Sequence, residues 1–89
     1  MFTGIIEEKG TIKSINLTGT SGVLTVKASK VLEGTQIGDS IAVNGICLTV
    51  TSLQADGFTA DVMTETVRRS CLGTCTSGTN VNLERAMSI

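Results

Sequence analysis

The nine residues NGICLTVTS, at positions 44–52, alternate between apolar and small polar side chains from Ile46 onward. Successive side chains of a β-strand point to opposite faces, so this alternation predicts a strand with one apolar face and one face of a thiol and hydroxyls. An ordinary solvated strand face carries charged side chains such as Lys, Glu or Arg. The dipeptide Asn44-Gly45 is typical of a type I′ hairpin turn, because both of its positions have positive φ. The stretch therefore predicts a hairpin strand whose outer face, with Cys47 and Thr49, is unusually small and uncharged.

The same period-two alternation extends over most of the chain, whereas helical periodicity is scarce. We expect six short strands, at residues 4–17, 23–28, 39–44, 46–53, 58–63 and 81–86. The first strand is expected to bend at Gly10, where glycine permits a bulge. Six strands within 89 residues leave sheet edges that need closing. The sequence therefore predicts one all-β domain over residues 1–89, a small six-stranded antiparallel barrel.

Short helices and a second tight turn are expected between the strands. Residues 29–34 allow a single helical turn with Ser29 as its N-cap. Residues 64–73 are the best helix candidate, with Thr64 as N-cap and a glycine at the end. Ala55-Asp56-Gly57 is expected to form a second such turn, since Asp-Gly also suits type I′. The barrel is thus predicted to contain one or two short helices.

Composition and charge exclude several functions. Hydrophobic residues make up 40% of the chain and charged residues 17%, which favours an apolar surface that faces a partner or ligand. The net charge is −1, the basic residues are scattered, and Phe2 and Phe58 are the only aromatic residues, so we expect no nucleic-acid partner. No apolar run approaches the roughly 20 residues of a membrane helix. Without a signal-peptide layout at the N-terminus, we expect a cytoplasmic protein with no membrane partner.

Metal and covalent chemistry have little support in the sequence. Three cysteines are an odd number, which argues against a complete disulfide framework. Cys71 and Cys75 are four residues apart, not in C-x-x-C spacing, and the chain has no histidine. The lack of histidine also excludes a Ser-His-Asp triad. We expect no metal site, and we expect the thiols to be small packing residues in a reducing compartment.

Strand parity predicts one polar patch. The even-numbered residues of 58–62 resemble core residues, which leaves Asp61 and Met63 on the opposite face. If the fourth and fifth strands pair as a hairpin, Cys47 and Thr49 lie near these two residues. Such a patch suits a neutral, hydroxyl-rich ligand with a flat polar ring. It does not suit a phosphate, because neither a P-loop nor a G-x-G-x-x-G motif is present.

A simpler interpretation of each patch residue remains open. Cys47, taken alone, is more often a small strand-packing residue than a functional thiol. Asp61 and Glu65 are individually typical of surface charges or of a pair at a helix start. Thr49 is also simply a good strand former.

Four motifs in order along the chain raise the specificity of this prediction: MFTGI (1–5), NGICLTVT (44–51), DVMTETVRR (61–69) and NLERA (82–86). No single motif is decisive, but four in register are highly specific. Together they strongly resemble the N-terminal barrel of the riboflavin synthase family, across essentially the whole chain. The resemblance implies a closed Greek-key barrel, one of two similar lumazine-binding repeats in a subunit that also carries a C-terminal helix for trimer assembly.

The family resemblance also implies a reaction and a ligand. Riboflavin synthases transfer a four-carbon unit between two molecules of 6,7-dimethyl-8-ribityllumazine, which yields riboflavin and a pyrimidinedione, with no cofactor and no metal. The active site is expected between the N-terminal barrel of one subunit and the C-terminal barrel of its neighbour. The implied substrate-binding residues are Gly4, Ile5, Ile6, Cys47, Leu48, Thr49, Asp61, Val62, Met63, Thr64, Glu65 and Thr66. The residues that match family positions associated with the reaction centre are Phe2, Thr3, Ser40 and Cys47.

Within that set, the resemblance implies three kinds of contact. Main-chain groups around Ile5, Leu48 and Thr49 are expected to bind the ring edge. Side chains of Asp61, Glu65 and Thr66 are expected to meet the ribityl hydroxyls. The apolar walls are expected from Ile6, Val62 and Met63. On this interpretation, Cys47 and Thr49 are small because a flat heterocycle or a facing barrel approaches their strand closely.

The 89 residues match only the N-terminal barrel of the family, so we expect the second barrel, its Gly-Gly-His segment and the trimer helix to be absent. We therefore expect the isolated barrel to bind ligand with little or no turnover and to form a homodimer, whereas the full-length enzyme is expected to be a homotrimer. Two other functions remain open: a non-catalytic lumazine or flavin carrier of the same fold, and a structural barrel that serves only self-association. A change in riboflavin fluorescence on titration separates the first two functions from the third.

Overall fold

The computed structural model describes residues 4–69 and 77–86. Their six strands form a closed antiparallel barrel in the order β1-β2-β5-β4-β3-β6. The strands are β1 (Glu8–Thr18), β2 (Ser21–Lys27), β3 (Ser40–Val43), β4 (Ile46–Gln54), β5 (Gly57–Met63) and β6 (Asn80–Arg85). A 3-10 turn at Lys30–Leu32 and a helix α1 at Thr64–Arg69 complete the described elements. The predicted all-β barrel is confirmed.

The barrel interior is filled by the apolar positions that strand alternation selects. Phe58 and Ala60 of β5 have no exposed surface, and Val62 is 3% exposed, as the parity of that strand predicts. The residues with no exposure at all are Ile12, Leu24, Val26, Val31, Ile41, Val43, Phe58, Ala60 and Leu83. Burial of each large apolar side chain contributes roughly 1.5–3 kcal/mol, so this interior is the main source of stability. Closure of the sheet removes the unpaired edges that six strands would otherwise expose.

The two hairpin turns on either side of β4 differ. Asn44 has φ 49° and Gly45 has φ 83°, so both residues occupy the positive-φ region that a type I′ turn requires. The β4–β5 hairpin instead turns at Ala55-Asp56, because Gln54 pairs directly with Gly57. Asn44 is the only non-glycine residue with positive φ in the part of the chain that the structure describes. The turn predicted at Ala55-Asp56-Gly57 is therefore present, but its type is not I′, since neither Ala55 nor Asp56 has positive φ, and Gly57 belongs to β5.

Glycine serves close packing, not bending, at two strand positions. A Cβ on Gly57 would overlap the carbonyl oxygen of Val26 on the adjacent strand. A Cβ on Gly10 would lie 2.5 Å from Cδ1 of Leu83. The irregularity in β1 falls later, between Ile12 and Ser14, where the register with β2 shifts by one residue. The bulge predicted at Gly10 is thus wrong, and the first strand begins at Glu8, not at residue 4.

The helical pieces are held by distant partners and not by their own N-caps. Ser29 occupies the N-cap position of the 3-10 turn but makes no side-chain capping bond. The carboxylate of Glu8 instead accepts hydrogen bonds from the Ser29 and Val31 amides at 2.9 and 3.0 Å. Thr64 is the first helical residue of α1, and its hydroxyl donates to the Gly19 carbonyl at 2.9 Å. The predicted end of this helix lies outside the described residues.

Candidate functional site

The outer strand surface, defined here as Ser40, Cys47, Thr49, Asp61 and Met63, is formed by three neighbouring strands. Thr49 pairs with Ser40 on β3 and with Asp61 on β5, so the three side chains stand in one row across the barrel wall. Thr49 and Asp61 are exposed, and Ser40 is half-buried. The juxtaposition of the fourth and fifth strands, predicted from parity, is therefore present in the structure.

Cys47 lies on the same outer face, one pleat along β4 from Thr49. Its thiol-bearing side chain is exposed, and its cross-strand partner on β3 is Ala42. Met63, two residues beyond Asp61, is 55% exposed. Because Cys47 and Thr49 are both short, this part of β4 carries no long side chain on its outer face. The space above the strand is therefore left open.

Helix α1 continues the outer strand surface at the end of β5. Met63, Glu65, Thr66 and Arg69 line a shallow concavity of about 530 Å³. Glu65 forms an ion pair with Arg69 at 3.0 Å, and both side chains are more than 70% exposed. Exposed pairs of this kind contribute little to stability, so the Glu65 carboxylate is free to accept hydrogen bonds from a ligand. Val67, on the opposite side of the helix, is buried and anchors α1 to the barrel.

The N-terminal segment reaches this surface from the other side. The Gly4 amide donates to Glu84 Oε2 at 3.1 Å, and Glu84 lies beside Ala42 in the sheet register. Ile5 is 69% exposed. Ile6 instead lines a different concavity, of about 470 Å³, that it shares with Asn44 and neighbouring residues. The structure thus brings Gly4 toward the row of Cys47, but it turns the Ile6 side chain toward the β3–β4 hairpin.

Two predicted ligand residues face the core. Val62 is 3% exposed and Leu48 is 5% exposed, and both belong to the hydrophobic interior. The Val62 side chain is therefore not available as an apolar wall on the outer strand surface, and Met63 is the remaining apolar side chain there. Leu48 can meet a ligand only through its main chain, as the prediction for that residue requires. Phe2 and Thr3 lie outside the described residues.

A charged cluster at the end of β6 was missed from the sequence. Arg85 donates from Nε and Nη2 to the two carboxylate oxygens of Glu7 at 3.0 and 2.8 Å, and its amide donates to the same side chain at 2.7 Å. These hydrogen bonds lower the pKa of Glu7 from 4.5 to about 2. They also raise the pKa of Arg85. No motif signals this pairing, because the two residues are 78 positions apart in the chain.

Arg85 also lines a polar concavity next to the outer strand surface. Its Nη1 donates to the Glu33 carbonyl at 2.7 Å, which fixes the guanidinium at the rim. The concavity measures about 380 Å³, and Ser40 and Asp39 also line it. Ser40 therefore belongs to two features, the row with Thr49 and the wall of this polar concavity.

The arrangement is suited to hydrogen bonding of an uncharged ligand. The outer strand surface and α1 present hydroxyls, two exposed carboxylates and the thioether of Met63. Hydroxyl and carboxylate oxygens accept hydrogen bonds from a polyol, and a thioether packs against a flat ring. Among residues 4–69 and 77–86, no group of three His, Cys, Asp or Glu side chains could hold a metal ion. Within the same ranges, no helix is long and apolar enough to cross a membrane.

Known proteins similar to this chain share one domain type. Residues 3–86 match the family model described as the lumazine binding domain. Riboflavin synthase of Bacillus subtilis (strain 168) is 59% identical over 88 residues, which cover 99% of this chain and 41% of that protein. Riboflavin synthase of Mycobacterium tuberculosis (strain ATCC 25618 / H37Rv) is 49% identical over 90 residues, covering 100% of this chain and 45% of that protein. The chain thus spans less than half the length of these curated relatives.

Solved structures show the same fold at lower sequence identity. The crystal structure of LumP complexed with riboflavin superposes with a TM-score of 0.86 at 24% identity, covering 96% of this chain and 47% of that one. The complex of LumP with 6,7-dimethyl-8-(1'-D-ribityl) lumazine gives a TM-score of 0.85, also at 24% identity, covering 96% and 49%. At this identity the likeness establishes the barrel fold alone.

Proposed function

We propose a function from the premise that the chain belongs to the lumazine-binding domain family: its outer strand surface binds one molecule of 6,7-dimethyl-8-ribityllumazine or riboflavin. The observation on which the proposal depends is the cross-strand pairing of Thr49 with Asp61, both exposed, beside the small Cys47. This pairing leaves a flat strand surface open next to a carboxylate. A planar ring with a polyol tail has the matching shape and polarity.

The ring lies over Cys47 and Thr49, and the ribityl tail runs along β5 toward α1. On this path the tail hydroxyls meet the carboxylates of Asp61 and Glu65, which offer several acceptor sites each. Met63 supplies the apolar wall. The main-chain contacts to the ring edge come from the strand around Leu48 and from the N-terminal segment around Ile5. Thr64 and Thr66 belong to the helical border of the same site.

The chain is proposed to be the N-terminal barrel of a riboflavin synthase located in the cytoplasm. The identities of 59% and 49% to riboflavin synthases support this assignment over any other activity. In the full-length homotrimer, two lumazines are held face to face between barrels, and a four-carbon unit passes from one to the other. No metal or cofactor takes part, so most of the acceleration comes from orientation, which can supply on the order of 7–11 kcal/mol. Ser40 and Cys47 line the reaction centre.

A single barrel holds one ligand, so the isolated chain is proposed to bind with little or no turnover. The alternative function is a non-catalytic lumazine or flavin carrier. The two functions differ in the full-length protein, because only the enzyme converts lumazine to riboflavin. Tight binding without any conversion in the full-length protein would favour the carrier.

The test of the binding proposal is a riboflavin titration with Thr49→Lys. A lysine at this position places a long charged side chain across the path of the ring, so we expect riboflavin binding to be lost. Because Thr49 is exposed and faces away from the core, the barrel should remain folded. Riboflavin fluorescence measures binding, and circular dichroism measures folding.

Gln54→Lys is the matched control for this titration. It adds the same side chain to an exposed position of the same strand, at the end remote from Cys47. The control should bind riboflavin as the original chain does. Unchanged binding by Thr49→Lys, or absence of any fluorescence change with the original chain at high protein concentration, contradicts the proposed function.

A further inference from the structure

Glu84 is a buried acid on the outer side of the barrel. Its neighbour Leu83 faces the core with no exposure, so strand alternation directs Glu84 outward. Nevertheless Glu84 is only 5% exposed, the one charged residue that is buried in the part of the chain that the structure describes. Acidic side chains are almost never buried without hydrogen-bonding partners, because desolvation of the carboxylate is costly. A specific partner is therefore expected, and the structure provides one.

That partner is the main chain of the N-terminal segment. The Gly4 amide donates to Glu84 Oε2 at 3.1 Å, across 80 residues of sequence. Gly4 has φ 81°, a backbone conformation that favours glycine and turns the segment at this point. A hydrogen bond to a carboxylate is stronger than one between neutral groups, so it fixes the position of the Gly4 peptide.

The same residue lies in line with the outer strand surface. Glu84 pairs with Ala42, and Ala42 pairs with Cys47, so the three side chains share one face in adjacent strands. Neighbouring strands are about 4.8 Å apart, which puts the backbones of Glu84 and Cys47 about 10 Å from one another. A segment held at Glu84 is therefore within reach of a ring that lies over Cys47.

A second set of bonds secures the other end of the segment. Arg85, whose side chain lies on the opposite side of β6, donates hydrogen bonds to the Glu7 carboxylate from its guanidinium and from its own amide. The Glu7 amide in turn donates to the Leu83 carbonyl at 2.9 Å. Consecutive residues of β6 thus hold residues 4–7 at both ends, and Glu84 is the residue that faces the ligand side.

We propose that Glu84 is a positioning residue for ligand binding. By accepting the Gly4 amide, its carboxylate holds residues 4–6 beside Cys47, so that main-chain groups of this segment meet the edge of the bound ring. The inference rests on the proposed function, since it concerns binding at the outer strand surface. Glu84 itself contacts the segment and not the ligand.

The test compares two substitutions of Glu84 with similar volume. Glu84→Met removes the acceptor, and Glu84→Gln keeps a carbonyl oxygen at the same reach. We expect Glu84→Met to raise the Kd for riboflavin about ten-fold, which corresponds to the loss of one hydrogen bond to a charged group. The Kd of Glu84→Gln should lie within about three-fold of that of the original chain. Amide exchange at Gly4, measured by NMR, should accelerate in Glu84→Met only.

Glu8→Met is the control for a purely structural effect. The Glu8 carboxylate also accepts amide hydrogen bonds from a loop, but that loop contains Ser29 and Val31 and lies outside the ligand site. This variant should lower the thermal unfolding temperature and leave the riboflavin Kd unchanged. A positioning role for Glu84 therefore predicts a change in affinity that is rescued by glutamine and is absent from the control.

The outcomes separate this inference from the proposed function. Absence of riboflavin binding by the original chain overturns both. Binding by the original chain together with an unchanged Kd in a folded Glu84→Met overturns the positioning role alone. If Glu84→Met does not fold, Glu84→Asp replaces it, because aspartate keeps the charge and withdraws the acceptor by one methylene. A Kd of Glu84→Asp within two-fold of the original value then overturns the role, and a larger loss supports it.

Discussion

At the scale of single residues, the Glu7–Arg85 pair has the largest electrostatic consequence. The side chains are 25% and 32% exposed, and the bidentate geometry gives each carboxylate oxygen its own donor. Hydrogen bonds from Arg85 lower the pKa of Glu7 to about 2, because they stabilise the ionised form. A folded-state pKa below the unfolded value of 4.5 means that ionised Glu7 stabilises the barrel.

The pH dependence of stability should reveal this contribution. The stabilisation by ionised Glu7 is fully present above pH 4.5 and is lost as the pH falls through the folded-state pKa of about 2. We expect Glu7→Gln to lower the free energy of unfolding at pH 7 by about 2 kcal/mol, the value of hydrogen bonds to a charged group after allowance for partial exposure. The difference between the two proteins should shrink steadily between pH 4.5 and 2. Urea unfolding across this range measures it.

Asp56→Asn is the matched control, since Asp56 pairs with Lys13 at 3.2 Å between exposed side chains. Because exposed ion pairs contribute little, its removal should change the free energy of unfolding much less than Glu7→Gln does at pH 7. A Glu7→Gln protein as stable as the original at pH 7 would show that the Arg85 interaction is offset by desolvation.

Individual site residues were predictable where strand parity alone decides their direction. Thr49 and Asp61 alternate with core residues, so the sequence indicates that both face outward and lie close together. The same rule assigns Val62 to the interior, and the resemblance that made it an apolar wall conflicts with its parity. Glu84 and Arg85 were not predictable, because their partners come from the opposite end of the chain and meet them only when the barrel closes.

At the scale of elements, Gly57 decides the register of the β4–β5 hairpin. It occupies the first position of β5, where the Val26 carbonyl lies too close for any side chain. The two-residue turn therefore uses Ala55-Asp56 and pairs Gln54 with Gly57. An irregularity in β4 between Val50 and Ser52 then shifts the register by one residue, so that Thr49 lies opposite Asp61. A slip of one residue would turn every side chain of β5 to the other face, with Asp61 directed into the core.

Gly57→Ala should destabilise the barrel by about 3 kcal/mol, because the methyl group must displace a strand backbone within a packed sheet. Gly19→Ala is the comparison: Gly19 has φ 66° with no atom near its would-be Cβ, so only backbone strain of about 1–2 kcal/mol opposes alanine there. Thermal unfolding of both variants gives the two values. Equal losses would mean that crowding at Gly57 is relieved by a small shift of β2.

Element types were largely predictable, whereas boundaries and turns were not. Period-two alternation predicts all six strands. The dipeptide Asn44-Gly45 predicts its type I′ turn correctly, because it supplies both of the positive-φ positions that this turn requires. Asp56-Gly57 has the same local signal, but the close approach of Val26 requires the glycine inside the strand. Likewise, Gly10 is fixed by packing against Leu83, and the register shift near Ser14 has no composition cue.

At the scale of the whole molecule, the closed barrel leaves several apolar side chains on its surface. Ile5 and Ile37 are 69% and 68% exposed, and Met63 is 55% exposed. We expect the isolated 89-residue chain to form a homodimer in which the two outer strand surfaces face one another. Such a pairing is two-fold and isologous, and it would cover the same side chains on both copies.

Sedimentation equilibrium at micromolar concentration measures the association. We expect a species of twice the chain mass of 9.2 kDa. Met63→Lys should shift the distribution toward monomer, because a charge at this position is repelled by its symmetry mate. A clean monomer for the unsubstituted chain at this concentration would rule out the dimer.

The path of the chain around the barrel brings its described ends together. Gly4 is bonded to Glu84, and the Ala86 amide donates to the Ser40 carbonyl at 3.2 Å, so both ends emerge beside the proposed site. The Ala55-Asp56 turn lies at the other end of β4, about 26 Å from Cys47 in an extended strand. A circular permutant opened at this turn, with the original ends joined by a flexible linker, would carry a fused reporter or a surface tether on the pole remote from the proposed ligand site.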